Sequence, residues 1–252
     1  MRVEVGGNLQ NSYRRDGSCI VPQFLSEPGR LAALDLLEQL DARDELAPTY
    51  EAQYEPDARG GRQRLRKVRR LIWNEPVAWS AILREHSKTQ AVADELVGAD
   101  AGIILHAAFL KPARIGSAVD FHQDQALWDN PYPDAISIWV ALSPASVENG
   151  CVVGYPGSHR NGLLEHEPAA ASYSHRYVDV ERHGLTDQSH YELAPGDAVV
   201  LHRYLVHGSA PNRSEHDRRG IVLVVARHTL ADFRSRDLFA LADLASPAAV
   251  TR

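Results

Sequence analysis

Cysteine is scarce in this chain of 252 residues: only Cys19 and Cys151 occur. Two thiols so far apart make no disulfide framework, and there is no CxxC zinc signature. No run of about 18 apolar residues appears, so nothing in the sequence is built to span a membrane as a helix. The opening "MRVEVGGNLQ" lacks the apolar stretch of a secretory signal. Together these absences make a cytoplasmic location with free thiols the expectation. A strong excess of one charge is missing too. With 27 basic and 33 acidic residues the formal net charge is −6, which gives no overall pull toward nucleic acid or an anionic membrane. Internal repeats and long low-complexity linkers are also lacking. A single domain over residues 1–252 is the expectation, large enough to bury a full core without staples.

What is present is ordinary for a globular protein: 44% hydrophobic and 24% charged residues. The first 18 residues are polar and read as loosely held. "CIVPQFL" (19–25) reads as a short strand or extended entry. Ser26 can cap a helix with Pro28 in its first turn. Leu31, Leu34, Leu37 and Leu40 then recur at helical spacing beside Leu36. A second helical region spans about Pro76 to Val97, with Trp79, Ile82, Leu83, Val92 and Leu96 on its apolar side. From residue 101 the texture changes to short β-rich runs bounded by Gly, Pro, Asn or Asp: 101–112, 135–144, 150–159, 191–202 and 219–228. Helices gathered over 26–100 and strands over 101–230 predict a mainly β protein with flanking α-helices and a double-sheet core.

"ARGGRQRLRKVRR" (58–70) carries seven basic residues, Lys67 among them. It reads first as a solvated, flexible segment. A sharper reading is an anion-attracting lip over a site, for a carboxylate- or phosphate-bearing substrate. It has no aromatic interleaving of the kind that stacks nucleic-acid bases.

"FHQDQALWD" (121–129) raises the question of a metal. In an extended segment His122 and Asp124 project to the same side. Two histidines and one carboxylate on one face of an octahedron leave three positions open, the arrangement of non-haem Fe(II) oxygenases. A second histidine must come from elsewhere, and "LHRYLVHGSAPNRSEHDRRG" (201–220) offers His202, His207 and His216. His207 follows an apolar run and precedes Gly208-Ser209, where backbone can approach a bound group closely. Arg218 follows 11 residues later, where a hairpin can bring its guanidinium beside the metal to grip a carboxylate.

These motifs resemble the phytanoyl-CoA dioxygenase family of Fe(II)- and 2-oxoglutarate-dependent oxygenases. The matching stretches are "KP" (111–112), "FHQD" (121–124), "SIWVALSPASVENGCVVGYPGSHRNGLLEH" (137–166), "PGDAVVLH" (195–202) and "HGSAPNRSEHDRR" (207–219). "SCIVPQFLS" (18–26) is similar to the family's opening. The resemblance implies a double-stranded β-helix, a cupin-like jelly roll. It makes His122, Asp124 and His207 the iron ligands, and gives Arg218 and Ser209 the distal carboxylate of 2-oxoglutarate. Trp139, Lys67, Gln123 and Ala107 fall at co-substrate positions. Trp128 at the entrance and His106 on an apolar strand are candidate substrate contacts, though each also suits a core role. His202 reads as a core histidine near the ligand His207. "PGSH" (156–159), Asn149-Gly150 and Asn212 read as turn-forming.

The activity so implied is hydroxylation of an unactivated C–H bond of a small-molecule metabolite, with O2 as oxidant and succinate and CO2 released. Halogenases of related fold lack the carboxylate ligand, so Asp124 argues against halogenation. The segments that should shape the substrate pocket resemble the family least, which suits a tailoring enzyme of natural-product biosynthesis. The basic stretch favours an anionic, carrier-tethered or CoA-linked substrate. Two alternatives remain: a cupin-like metal-dependent hydrolase or lyase using the same ligands, and a non-catalytic metal-binding member of the fold.

Overall fold

The computed structural model describes residues 9–43, 45–55, 63–128, 132–168, 176–227 and 238–245. Helix α1 (Leu9–Asp16) leads into β1 (Ser18–Val21) and α2 (Glu27–Asp41). Then come β2 (Gln53–Glu55), β3 (Arg64–Val68), α3 (Leu71–Asn74), α4 (Pro76–His86) and α5 (Thr89–Leu96). The remainder is β-rich: β4 (Ala101–Lys111), β5 (Val119–His122), β6 (Ile136–Ala141), β7 (Val152–Gly154), β8 (Glu167–Pro168), β9 (Arg176–Tyr177), β10 (Ser189–Tyr191), β11 (Ala198–His202), β12 (His207–Ser209), β13 (Arg218–Arg227) and β14 (Phe239–Ala240). One sheet runs β1-β11-β6-β13-β4-β3-β2, with β14 also on β4. A smaller one runs β10-β7-β12-β5, and β8 pairs with β9. This is the jelly-roll arrangement, and it fits a mainly β protein with flanking helices.

The large sheet is apolar on both faces, for two different reasons. In β6 all six residues are buried. Alternation along the strand turns Ile136, Ile138 and Val140 to one side and Ser137, Trp139 and Ala141 to the other. The first set joins Ile103, Val200, Ile221 and Leu223 in a core shared with Leu37, Leu40, Trp79, Leu83 and Val92 of the helices. The second set faces the small sheet: Trp139 and Ala141 pack with Val199, Leu201, Val152 and Tyr191. The helices therefore seal one face, and the space between the sheets is left for a site.

Several local expectations are corrected. The N-terminal stretch is not loose from residue 9 on, because α1 anchors through its buried Leu9. In α2 the buried stripe is Gly29, Ala33, Leu37 and Leu40, whereas Leu31 is 52% exposed. Gly29 lies there because an added Cβ would meet the His86 side chain at 2.4 Å. Ser26 precedes α2 without a side-chain cap; its hydroxyl pairs with His86 Nδ1 at 3.2 Å instead. The basic stretch is partly a sheet strand, since β3 buries Leu65 and Val68 and pairs with β4. Arg59 and Arg62 lie outside the described residues. The 191–202 run is two strands, β10 and β11, separated by a turn at Gly196, whose φ is +91°. Among the described residues no helix is long and apolar enough to cross a membrane.

Ile138 and Leu31 make a paired test of this packing. Ile138→Ala removes a side chain with 0% exposure and is expected to cost about 2–5 kcal/mol. Leu31→Ala should stay within about 0.5 kcal/mol of the parent. Urea denaturation followed by circular dichroism measures both; equal losses would contradict the assignment of the buried stripe.

Candidate metal centre and its cavity

β5 and β12 pair antiparallel in the small sheet, with His122 directly opposite His207. Facing positions on neighbouring strands put side chains within reach of each other, and the two imidazole centroids are 4.4 Å apart. Asp124 follows one residue beyond β5, at the start of a 3-10 turn. Its Oδ1 lies 3.5 Å from His122 Nε2 and 3.8 Å from His207 Nε2. All three residues thus offer ligand atoms within 4.8 Å of one another.

Backbone hydrogen bonds orient the two rings. His122 Nδ1 lies 2.8 Å from the Asp120 carbonyl and His207 Nδ1 lies 3.0 Å from the Leu205 carbonyl. A carbonyl only accepts, so each Nδ1 donates to its carbonyl, and each ring turns Nε2 toward Asp124. Burial opposes ionisation of Asp124, but His207, His122 and a hydrogen bond from Ser137 outweigh it and hold the carboxyl below the usual carboxylate range. Burial also lowers His207, against the pull of Asp124, which favours the neutral, ligating imidazole. Two imidazole Nε2 atoms and an ionised carboxylate are the donor set that a divalent ion such as Fe(II) takes, with positions left open.

Ser137 reaches this centre from the opposite sheet, and its hydroxyl donates to Asp124 Oδ2. The Oδ1 oxygen is thereby left to face the imidazoles. Sequence reasoning missed Ser137. The signal was available: it is the lone polar residue in the strand "ISIWVA", which is buried on both faces.

The triad lines a cavity of about 330 Å³ between the sheets. Arg218, Ser209, Trp139, Lys67 and Trp128 line it too. Arg218 is 3% exposed and its guanidinium lies 4.9 Å from the Trp139 ring centroid. Arg218 also donates to the carbonyls of Gly150 at 3.2 Å and Phe109 at 3.4 Å. Gly220, next on the same face of β13, makes room for this stack: a Cβ there would meet Trp139 at 2.4 Å. Lys67 sits over Phe109, its ammonium 4.8 Å from the ring centroid. Desolvation, reinforced by Arg69 and opposed by Asp124, brings the Lys67 ammonium down to about 8.

Lys111 was noted only as part of a motif, yet it is built into the end of the site. It is 2% exposed and stands opposite Arg218 in the β4–β13 register. Its ammonium donates to the carbonyls of Ser117 at 2.9 Å, Ser209 at 3.4 Å and Ala210. Desolvation and then the neighbouring Arg218 lower it to about 6. It joins the end of β4 to the strand that carries Ser209.

Three candidates stand apart from the cavity. Alternation turns Gln123 away from the sides of His122 and Asp124. Its amide donates to the carbonyls of Gly162 and Tyr204, at 2.8 and 2.7 Å, and accepts from the Leu164 N–H at 2.7 Å. Ala107 is buried opposite Val222 in the β4–β13 register, without lining the cavity. His106 falls on the other face of β4 and meets Trp79 edge-on, centroids 4.5 Å apart. As for the turn residues, the Asn212 side chain donates to the Lys111 and His216 carbonyls. His202 accepts from the Tyr204 N–H at 3.0 Å and packs on Tyr13 and His159.

The family model for phytanoyl-CoA dioxygenase (PhyH) matches residues 13–220, and the chain belongs to that family. A phytanoyl-CoA dioxygenase domain-containing protein 1 homolog of Caenorhabditis elegans is 30% identical over 156 residues, covering 56% of this chain and 51% of the relative. Phytanoyl-CoA dioxygenase 1 of Oryza sativa subsp. japonica is 33% identical over 115 residues, covering 46% and 41% respectively. The chain thus spans about half or less of the length of these curated relatives. Among solved structures, EvdO2 from Micromonospora carbonacea var. aurantiaca complexed with 2-oxoglutarate superposes with a TM-score of 0.70 at 22% identity, over 90% of this chain and 92% of that one. The epimerase SnoN in complex with Fe3+, alpha ketoglutarate and nogalamycin RO gives 0.68 at 21% identity, over 87% and 82%. At these identities the superpositions establish the shared fold.

The Ser137 contact generates a prediction. Ser137→Ala leaves Asp124 Oδ2 without its donor and should weaken divalent-metal affinity about 10–100-fold. Calorimetric titration with Co(II) reads it. Unchanged affinity with the fold intact would show that Ser137 does not orient the carboxylate.

Proposed function

We propose that this chain is an Fe(II)- and 2-oxoglutarate-dependent dioxygenase that hydroxylates an unactivated C–H bond of a small-molecule metabolite. The observation that carries this is the pairing, in one cavity, of a His-Asp-His ligand set with a buried arginine beside a serine. A metal-dependent hydrolase or lyase would use the same three ligands, but it has no need of Arg218 and Ser209, which suit the far carboxylate of a keto-diacid. Iron bound by His122, Asp124 and His207 would supply the redox chemistry, in which O2 and 2-oxoglutarate yield an oxidant, succinate and CO2.

The chain's own residues bind, orient and exclude. Arg218 is held in place by two carbonyls and by Trp139, so its charge is already positioned when the anion arrives. Lys67, on the same cavity wall, adds a second positive charge. Ser137 keeps Asp124 in a single orientation. Leu105, Phe109, Val222 and Val224 give the cavity apolar walls that shield the reacting carbon from water. Lys67 and Arg69 on the wall support an anionic, carrier-linked or CoA-linked substrate. The EvdO2 and SnoN likenesses, the second named for a complex with nogalamycin RO, are in keeping with natural-product tailoring.

Succinate formation from 2-oxoglutarate by the Fe(II)-loaded protein tests the reading, and metal binding without it would favour a non-catalytic member of the fold. Arg218→Ala should raise the KM for 2-oxoglutarate by about 100-fold, since a buried charge-assisted contact is worth several kcal/mol. An unchanged KM would move the carboxylate site elsewhere.

A pH series gives an independent check. Lys67 is an ammonium below about 8 and a neutral amine above it. The KM for 2-oxoglutarate should therefore rise as pH climbs through that value, and Lys67→Met should flatten the rise. A profile identical in the parent and the variant would remove Lys67 from co-substrate binding.

A further inference from the structure

Asp124 is the ligand that the sheets do not place. β5 ends at His122, so Asp124 stands outside the ladder that sets His122 against His207. That ladder is short, pairing His207 with His122 and Ser209 with Val119 across an irregular register. The one residue between the two β5-side ligands is Gln123, extended at φ −114° and ψ 131°, with its side chain on the opposite side from theirs. What meets it there is the segment 158–166, the end of "GYPGSHRNGLLEH" (154–166), a stretch read from the sequence as turn-forming.

This segment grips both ligand-bearing elements. Toward β5, the Leu164 N–H donates to Gln123 Oε1 at 2.7 Å and the Gly162 carbonyl accepts from Gln123 Nε2 at 2.8 Å. His166 Nε2 accepts from the Gln123 main-chain N–H at 3.0 Å, and its Nδ1 donates to the Leu164 carbonyl at 2.9 Å. A ring that accepts at one nitrogen and donates at the other is the neutral imidazole. Toward β12, the buried Ser158 hydroxyl oxygen accepts at 3.0 Å from the N–H of Val206, one residue before His207. Gln123 Nε2 gives its second bond to the Tyr204 carbonyl at 2.7 Å, beside the Leu205 carbonyl that orients His207. Gln123 is fully buried, so water does not replace a bond its amide loses. The segment has its own anchor in α1: the Gly157 N–H donates to the Asp16 carbonyl at 2.8 Å, and His159 Nε2 to the Arg14 carbonyl at 3.1 Å.

We infer that the segment 158–166 is a bracket that sets the spacing of the metal ligands, with Gln123 and His166 as its positioning residues. It holds the residue between His122 and Asp124 and the turn before His207 at once, so the two arms of the centre do not part without breaking buried hydrogen bonds. Gln123 and His166 act on a metal ion only through the geometry of its ligands, as the outer partners of ligating residues do. The inference rests on the triad as a metal site and is independent of the oxidation assigned to it.

Co(II) titration of the full chain, followed by calorimetry and by the visible absorption of the bound ion, tests this beside urea denaturation of the metal-free protein. In His166→Gln the amide oxygen takes the place of Nε2 and still accepts from the Gln123 N–H; in His166→Leu nothing accepts. Both variants lose the bond to the Leu164 carbonyl, so the difference between them isolates the contact with Gln123. His166→Leu should weaken Co(II) binding about 10–100-fold and shift the absorption bands, and His166→Gln should stay within about threefold of the parent. Gln123→Met, which keeps the length and loses every side-chain hydrogen bond, should weaken binding at least as much as His166→Leu. Equal affinities and spectra for the two His166 variants would overturn the proposal. So would a Gln123→Met protein that unfolds at lower urea yet binds Co(II) like the parent; if that variant does not fold, the His166 pair decides alone. A parent that binds no Co(II) removes the metal reading and the bracket together, whereas a parent that binds it just as its variants do removes only the bracket.

Discussion

Everything at the centre of this protein depends on one cross-strand pairing, His122 against His207. The pairing by itself brings the rings together but does not aim them. Aiming comes from the two backbone carbonyls, of Asp120 and Leu205, that accept hydrogen bonds from Nδ1 and leave both Nε2 atoms turned to Asp124. A one-residue slip in the β5–β12 register would send one of the imidazoles to the far side of the sheet. Gly208 sits in that ladder where an added Cβ would come within 2.7 Å of the Val119 carbonyl, so the close approach of the two strands depends on a residue with no side chain.

The second constraint is the division of labour between the faces of the large sheet. The helices absorb Ile136, Ile138 and Val140, which frees the opposite face for Ser137 and Trp139. Two basic side chains, Arg218 and Lys111, are not exposed to water but rest on backbone carbonyls and, for Arg218, an indole face. The buried Arg218 charge is tolerated because oriented dipoles meet it, whereas Lys111, lowered to about 6, gives up its charge near neutral pH. The site thus combines low dielectric with a fixed guanidinium, the condition under which binding of an anion is strongest.

The β-rich half was legible because its signals are local: alternating apolar runs and turn residues announce strands, and His-x-Asp announces a shared face. The run before His207, the Gly208-Ser209 after it and Arg218 eleven residues on extended the site, and family resemblance then gave Ser209 its role and brought Trp139 to attention. Less legible were features set by the partner surface. The buried stripe of α2 runs through Gly29 and Ala33, small residues that a hydrophobicity pattern passes over in favour of Leu31. The basic stretch reads as solvated from composition alone, yet β3 joins the sheet because Leu65 and Val68 fall on its inward positions. Ser137 and Lys111 act across the gap between sheets or between strand ends, and no spacing along the chain encodes such a contact. Gln123 shows the converse: it is adjacent in sequence to two candidate ligands and turned away from them by the strand's own alternation.

The edge strand β1 carries a further implication. It pairs along its whole length with β11, Ser18 against Leu201 and Val21 against Ala198. Nearly the whole jelly roll lies between these partners. During synthesis the first strand must wait, its edge unsatisfied, until some two hundred residues have emerged from the ribosome. His122 waits likewise for His207. Assembly of the candidate metal centre is therefore a late event on the nascent chain, and the helices made early, α2 to α5, have to shelter an incomplete sheet until its final strands arrive.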